Sequence, residues 1–188
     1  LILVGCGKTI DESELVVRKD IHYQINSEKP FTGSVVSYHD NGQVKTSGTY
    51  KKGLKVGLFE KFYDNGQLLY SVNYVNGKWE GLYESFHEEN GDMKRRINYV
   101  NGKEEGLEEI FHEMGDMKSR ISYVNGKKEG LSELWILRVG KMKQFYKEGK
   151  KHGLLWFERI DGSTGDKNCF QNGEEVDMSF CEGEQNSE

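Results

Sequence analysis

Proline occurs once in 188 residues, as Pro30, so neither a polyproline segment nor proline-made turns can organise this chain. Cysteine occurs three times, too seldom for a dense disulfide scaffold. Basic charge is not in excess: 26 Lys and Arg face 31 Asp and Glu, a formal net charge of -5. Such a balance offers no general attraction to phosphate backbones, and nucleic acid is not an expected partner. Long apolar runs are missing, and "LILVGC" at residues 1 to 6 is too short to cross a bilayer. "GCGKT" at 5 to 9 fails as a phosphate-binding loop, because the glycine needed five positions before Gly7 is Ile2. What remains is a chain with 12% aromatics and 23 glycines. Disordered chains are poorer in aromatics and helical bundles do not tolerate so much glycine, which leaves short strands and tight turns.

The strands announce themselves by repetition. "YVNGKWEGLYESFHE", "YVNGKEEGLEEIFHE" and "YVNGKKEGLSELW" are versions of one line. Gly33, Gly57, Gly81, Gly106, Gly130 and Gly153 recur at spacings of 24, 24, 25, 24 and 23. A second series, Gly53, Gly77, Gly102, Gly126, Gly149 and Gly173, follows three residues after Tyr50, Tyr74, Tyr99, Tyr123, Tyr146 and Phe170. A fixed period of this size decides the architecture before any motif does. Segments of five to eight residues between "DNG", "ENG" and "VNG" groups read as strands joined by hairpins, with the first glycine series preceding each unit's first strand.

The expected fold class is therefore all-β: a repeat array of about six stacked β-hairpins of 23–25 residues, forming one elongated, twisted antiparallel sheet. Alternation along the strands pairs Phe62 with Leu68, Glu60 with Tyr70 and Leu58 with Val72, which puts Leu, Phe or Trp, and Tyr on one repeating face. Which face meets water stays open, because the other also carries Phe59, Tyr83, Ile110 and Leu134. The organisation read from the chain is residues 1–6 as the end of a signal segment, 7–30 as linker and cap, 31–173 as the array and 174–188 as an acidic tail. End units of linear arrays are atypical, and Pro30 at one end and Glu158 in place of Phe or Trp at the other fit that rule.

With "PFTGSVVSYHDNGQVKTSGTY" at its start and "YVNGK.EGL.E.FHE" through its middle, the stretch 31–173 resembles the bacterial variant of the MORN repeat, whose chains are often labelled antitoxin components of the YwqK type. The resemblance implies stacked hairpins. For activity it implies a choice among protein-binding scaffold, membrane-associated module and appendage to an enzyme, since fold does not fix function.

Few residues invite chemistry. Leu3-Val4-Gly5-Cys6 resembles the lipobox of bacterial lipoproteins, which implies lipidation at Cys6 and a membrane anchor in the cell envelope. Cys169 and Cys181, 12 apart, are either a disulfide in an exported chain or two free thiols. His39, His87 and His112 recur with the unit and read as structural, and neighbouring copies lie too far apart to share a metal. Glu60, Glu84, Glu109 and Glu133 recur likewise and read as a ladder rather than a catalytic pair. Lys94, Arg95, Arg96, Lys118 and Arg120 are candidate surface-charge contacts to anionic lipids. No catalytic residue, metal site, cofactor or small-molecule substrate is expected. The expected function is a non-catalytic, lipid-anchored envelope protein that binds another protein. The alternatives are a cytoplasmic antitoxin-like protein neutralising a toxin, and direct binding of anionic membrane lipids by the repeats.

Overall fold

The computed structural model describes residues 8–184, so Cys6 and the lipobox lie outside the described residues. The chain is all-β, built from successive antiparallel hairpin strands, and it divides into two units. The first takes in the chain up to Met93 together with Tyr99–Gly102. Its strands are β1 (Thr9–Asp11), β2 (Leu15–Arg18), β3 (Ile21–Gln24), β4 (Gly33–Tyr38), β5 (Val44–Lys51), β6 (Leu54–Phe62), β7 (Leu68–Val75) and β8 (Lys78–Phe86). A further strand, β9 (Met93–Val100), is shared between the units. The second unit has β10 (Lys103–Phe111), β11 (Met117–Val124), β12 (Lys127–Ile136), β13 (Gly140–Lys147), β14 (Lys150–Arg159), β15 (Thr164–Gln171), β16 (Glu174–Val176) and the short helix α1 (Met178–Glu184).

In the first unit β4 to β8 pair in chain order, each antiparallel to the next. β1 returns to pair in parallel with β4, placing Ile10 beside Val35. The hairpin of β2 and β3 forms a separate small sheet, tied on by His22 N to Gly53 O at 3.0 Å and Phe31 N to His22 O at 2.9 Å. Ile10, Phe31, Val35, Tyr50 and Phe59 close into a buried cluster against which Leu15 and Tyr74 pack. Rings continue it edge-on: Tyr50 to Phe59 at 5.5 Å, Phe59 to Tyr74 at 4.9 Å and Trp79 to Tyr99 at 4.7 Å. Edge-to-face pairs of this kind add about 0.5–1.5 kcal/mol each beyond the area they bury.

The second glycine series behaves as the sequence predicts. Asn76-Gly77, Asn101-Gly102 and Asn125-Gly126 all have φ between 50° and 80°, the paired positive values of a type I′ turn, whose twist matches that of the flanking strands. The first series does not precede its strands. Gly57, Gly81, Gly106, Gly130 and Gly153 lie inside strands of nine or ten residues, at φ between 73° and 83°. Register shifts by two residues beside them, as between Ser47↔Glu60 and Thr49↔Val56, so these glycines mark bulges.

A second irregularity corrects the expected face. Phe62 does oppose Leu68, but Lys61 then opposes Tyr70, Glu60 opposes Ser71 and Phe59 opposes Val72. Leu69 is the extra residue, and it displaces every later pair by one. Glu60 therefore does not meet Tyr70, nor Leu58 Val72. The expected stripe is split: Phe59 and Val72 are buried, while Leu58 lies on the opposite side with 55% of its surface exposed.

In the second unit β10 pairs with β11, and each later strand with the next through β16. Ile97 and Ile121 are buried here with an unexpected neighbour, Glu108, which directly opposes Ile121. At the end of the chain Cys169 and Cys181 form a disulfide across a Cα separation of 6.0 Å, joining β15 to α1. Both cysteines are buried, and Phe180 meets the His152 ring edge-on at 5.6 Å.

Candidate functional site

Most of the recurring side chains that could carry chemistry are engaged with one another or with the backbone, His112 Nε2 being an exception. His39 Nε2 donates to Phe62 O at 2.9 Å, a bond from one turn to the next. Asn41 and Asn65 do the same through their amides, to Asp64 O at 2.6 Å and Glu88 O at 3.0 Å. Each of these asparagines also folds its own turn, its Oδ1 accepting from Gln43 N or Gln67 N.

The glutamates fall into three sets with different partners. Glu60 accepts from Ser47 Oγ at 3.4 Å. Glu109 takes Arg96 Nε at 2.5 Å, and Glu133 takes Arg120 Nε at 2.5 Å and Lys141 Nζ at 3.2 Å. Burial by itself would push the Glu133 carboxyl up, but the hydrogen bonds and charges of Arg120 and Lys141 outweigh it and hold it below the ordinary carboxylate range. Lys143 adds to the same cluster and bonds Glu158 at 2.6 Å. The second set is Glu108, opposite Ile121: it accepts from Arg95 Nε at 2.6 Å and from Tyr123 Oη at 3.3 Å. Burial, then the Glu108 charge, push the Tyr123 phenol up to about 12.

The third set is not among the glutamates singled out by the repeat. Glu80, Glu105 and Glu129, each immediately before a bulge glycine, accept from the first residue of the next type I′ turn: Asn101 N, Asn125 N and Glu148 N, all at 2.8 Å. Thr32 Oγ1 does the same for Lys52 N at 2.9 Å. The signal is present in "KWEG", "KEEG" and "KKEG", where the glutamate is as regular as the glycine.

Of the candidate surface cations, Arg95, Arg96 and Arg120 are thus ion-paired, while Lys94 and Lys118 are exposed. Among the described residues no group of three or more His, Cys, Asp or Glu is placed to hold a metal ion, and no helix is long and apolar enough to cross a membrane.

Paired charges leave the leucines as the periodic feature offered to solvent. Leu58 and Leu82 in the first unit are 55% and 52% exposed, and Leu107 in the second 47%, each one residue past a bulge glycine. Val75 and Val100 in the first unit, and Val124 in the second, are also exposed. Alternation places Val75 on the side of Leu58, away from buried Phe59 and Val72.

A family model for the MORN repeat variant matches residues 31–52 and 55–76. These spans cover β4 with β5 and β6 with β7, one hairpin each. No curated protein matches the chain.

Proposed function

We propose that this chain is a non-catalytic repeat protein that binds a protein partner through the side carrying Leu58, Leu82 and Val75. The observation that supports this reading is the row of half-exposed aliphatic residues at one position of the repeat. A strand face needs no leucine turned to water for its own folding, and exposed apolar rows mark interaction surfaces. The engagement of Glu109, Glu108 and Glu133 by arginines points the same way, since a carboxylate held ionised by a cation serves a scaffold better than acid-base transfer. A photo-crosslinking residue at Leu82 tests it in a bacterial host. A discrete adduct, lost when Leu58→Ser is added, supports the reading; crosslinks no different from those obtained at exposed Lys45 remove it.

With this goes the anchoring of the chain to a bacterial envelope through lipid on Cys6, supported by the lipobox-like order of residues 3–6. Labelled palmitate should enter the protein and fail to enter Cys6→Ala; equal labelling of both ends that half of the reading. A cytoplasmic antitoxin-like role draws support from the family resemblance alone. Direct lipid binding is disfavoured by the pairing of Arg95, Arg96 and Arg120 with glutamates.

A further inference from the structure

The turns of the second unit break the rule that holds in the first. Where Asn41 and Asn65 bond onward, the second unit has Met114, then Arg138, then Asp161, and the residues before the last two are the apolar Leu137 and Ile160. Met114 is 85% and Ile160 80% exposed, and Leu137 and Val139 are exposed beside them. His112 Nε2, the counterpart of the bonded His39, is buried without a partner among the described residues. Gly66, Gly115 and Gly162 take the left-handed conformation in their turns, but in the turn between β12 and β13 Arg138, one position earlier, takes it, at φ 61°. A residue with a side chain adopts that conformation at a cost, and the fold has glycine available for it elsewhere.

Three of these residues, Leu137, Arg138 and Ile160, line one hollow. Trp135, Ile136, Leu137 and Ile160 wall a space of about 500 Å3, within the range of ligand pockets. Ile160 N donates to Val139 O at 3.2 Å and so fixes the two turns that form its sides. Three cations, Arg138, Lys141 and Arg159, face two carboxylates, Asp116 and Glu158, on its lining. Arg138 has no hydrogen-bond or ion-pair partner among the described residues, whereas Arg159 holds Ser163 Oγ at 3.3 Å and its charge helps to keep the Asp161 carboxyl ionised. Of the carboxylates on the lining, Glu158 is occupied by Lys143 at 2.6 Å and Lys141 at 3.5 Å, and with Asp161 beside Arg159 the guanidinium left uncompensated is that of Arg138.

We propose that this hollow binds an extended segment of a partner protein in which an apolar side chain is flanked by carboxylates. The apolar group seats against Trp135, Leu137 and Ile160, and the carboxylates meet the Arg138 and Arg159 guanidiniums, whose planar forks suit paired oxygens. The chain as a whole is negative, so the uncompensated charge of Arg138 selects an acidic partner against the background of the rest of the surface. The site stands apart from the leucine row and is tested apart from it.

The probe is a fluorescein-labelled octapeptide alternating glutamate and leucine, read by anisotropy against the full chain. Two controls alternate lysine with leucine and glutamate with serine. The glutamate-leucine peptide should bind saturably below about 1 mM and the controls at least about tenfold more weakly. Ile160→Asp, at an exposed turn position, should abolish binding. Arg138→Gly, which suits the backbone better, should weaken it about tenfold while leaving the fold intact, and Arg138→Lys should restore part. Leu82→Ser should change nothing. Absence of saturable binding, equal binding of the lysine-leucine peptide, or retention of affinity in folded Arg138→Gly and Ile160→Asp overturns the proposal.

Discussion

Phe59 lies against the bare backbone of Gly48: a Cβ built at that glycine would stand 2.2 Å from the ring. The glycine is there for space, on an extended strand where most residues would fit. Gly48→Ala should therefore destabilise the first unit by about 1–3 kcal/mol, as overpacking does. Were conformational entropy the governing factor, the same change would stabilise by about 0.4–1 kcal/mol. Urea denaturation of the two proteins distinguishes the signs.

Gly106 makes the opposite demand. It has φ +83°, and nothing lies within 4 Å of the point a Cβ would occupy, so its requirement is conformational alone. Gly106→Asn should cost less than Gly106→Ala, and Gly106→Val most, with Ala losing on the order of 1–2 kcal/mol. Equal costs for the three in thermal melts would count against the bulge as the reason for the glycine.

Glu133 gives the fold an acid-sensitive contact. Its folded pKa lies below the unfolded one, so its stabilisation is complete above the ordinary carboxylate pKa and drains away as pH falls through the folded value. Stability measured from neutral to acid pH should show that decline, and Glu133→Gln should flatten it. At neutral pH the variant should lose about 1–3 kcal/mol, because Arg120 and Lys141 keep their charges without their partner. An unchanged acid limb in the variant would assign the decline to other carboxylates.

The clasp on the next turn is separable from the ion pairs. Glu105→Ala removes the acceptor for Asn125 N and should cost about 1 kcal/mol, with faster hydrogen exchange at that amide; Lys103→Ala, on an exposed neighbour, should do neither. Similar exchange at Asn125 in both variants would deny the clasp.

The disulfide closes a loop of modest length, so reduction or Cys181→Ser should cost about 2–4 kcal/mol. The loss should be local. Hydrogen exchange ought to rise in α1 and β16 while β4 to β7 keep their protection, since each strand is paired chiefly with its sequence neighbours. Collapse of protection throughout the chain would show that the end holds more than itself.

Much of this was written in the sequence, and for identifiable reasons. Asn-Gly at fixed spacing names a type I′ turn because few residues accept two positive φ values in succession, and so the hairpins could be read one by one. The period is a property of the letters and needed no geometry. What escaped was the register. An extra residue such as Leu69 leaves no mark in a pattern of alternating types, yet it moves Glu60 from Tyr70 to Ser71 and Leu58 from Val72 to Asn73. The burial of Glu108 escaped for a related reason: its position holds Phe59 in an earlier copy, and only the arrival of Arg95 makes an acid tolerable there. The hollow at Trp135 was visible only as a lapse in "WILRVG", where polar turn residues were due.

The clasps of Glu80, Glu105 and Glu129 all point forward along the chain, from a strand already written to a turn still to come, and Asn41 and Asn65 reach forward too. Each copy therefore leaves the acceptors and donors that its successor will fill. During synthesis a nascent hairpin emerges beside a template that is already in place, so assembly can advance from the N-terminal copy toward the ribosome like a zip drawn in one direction.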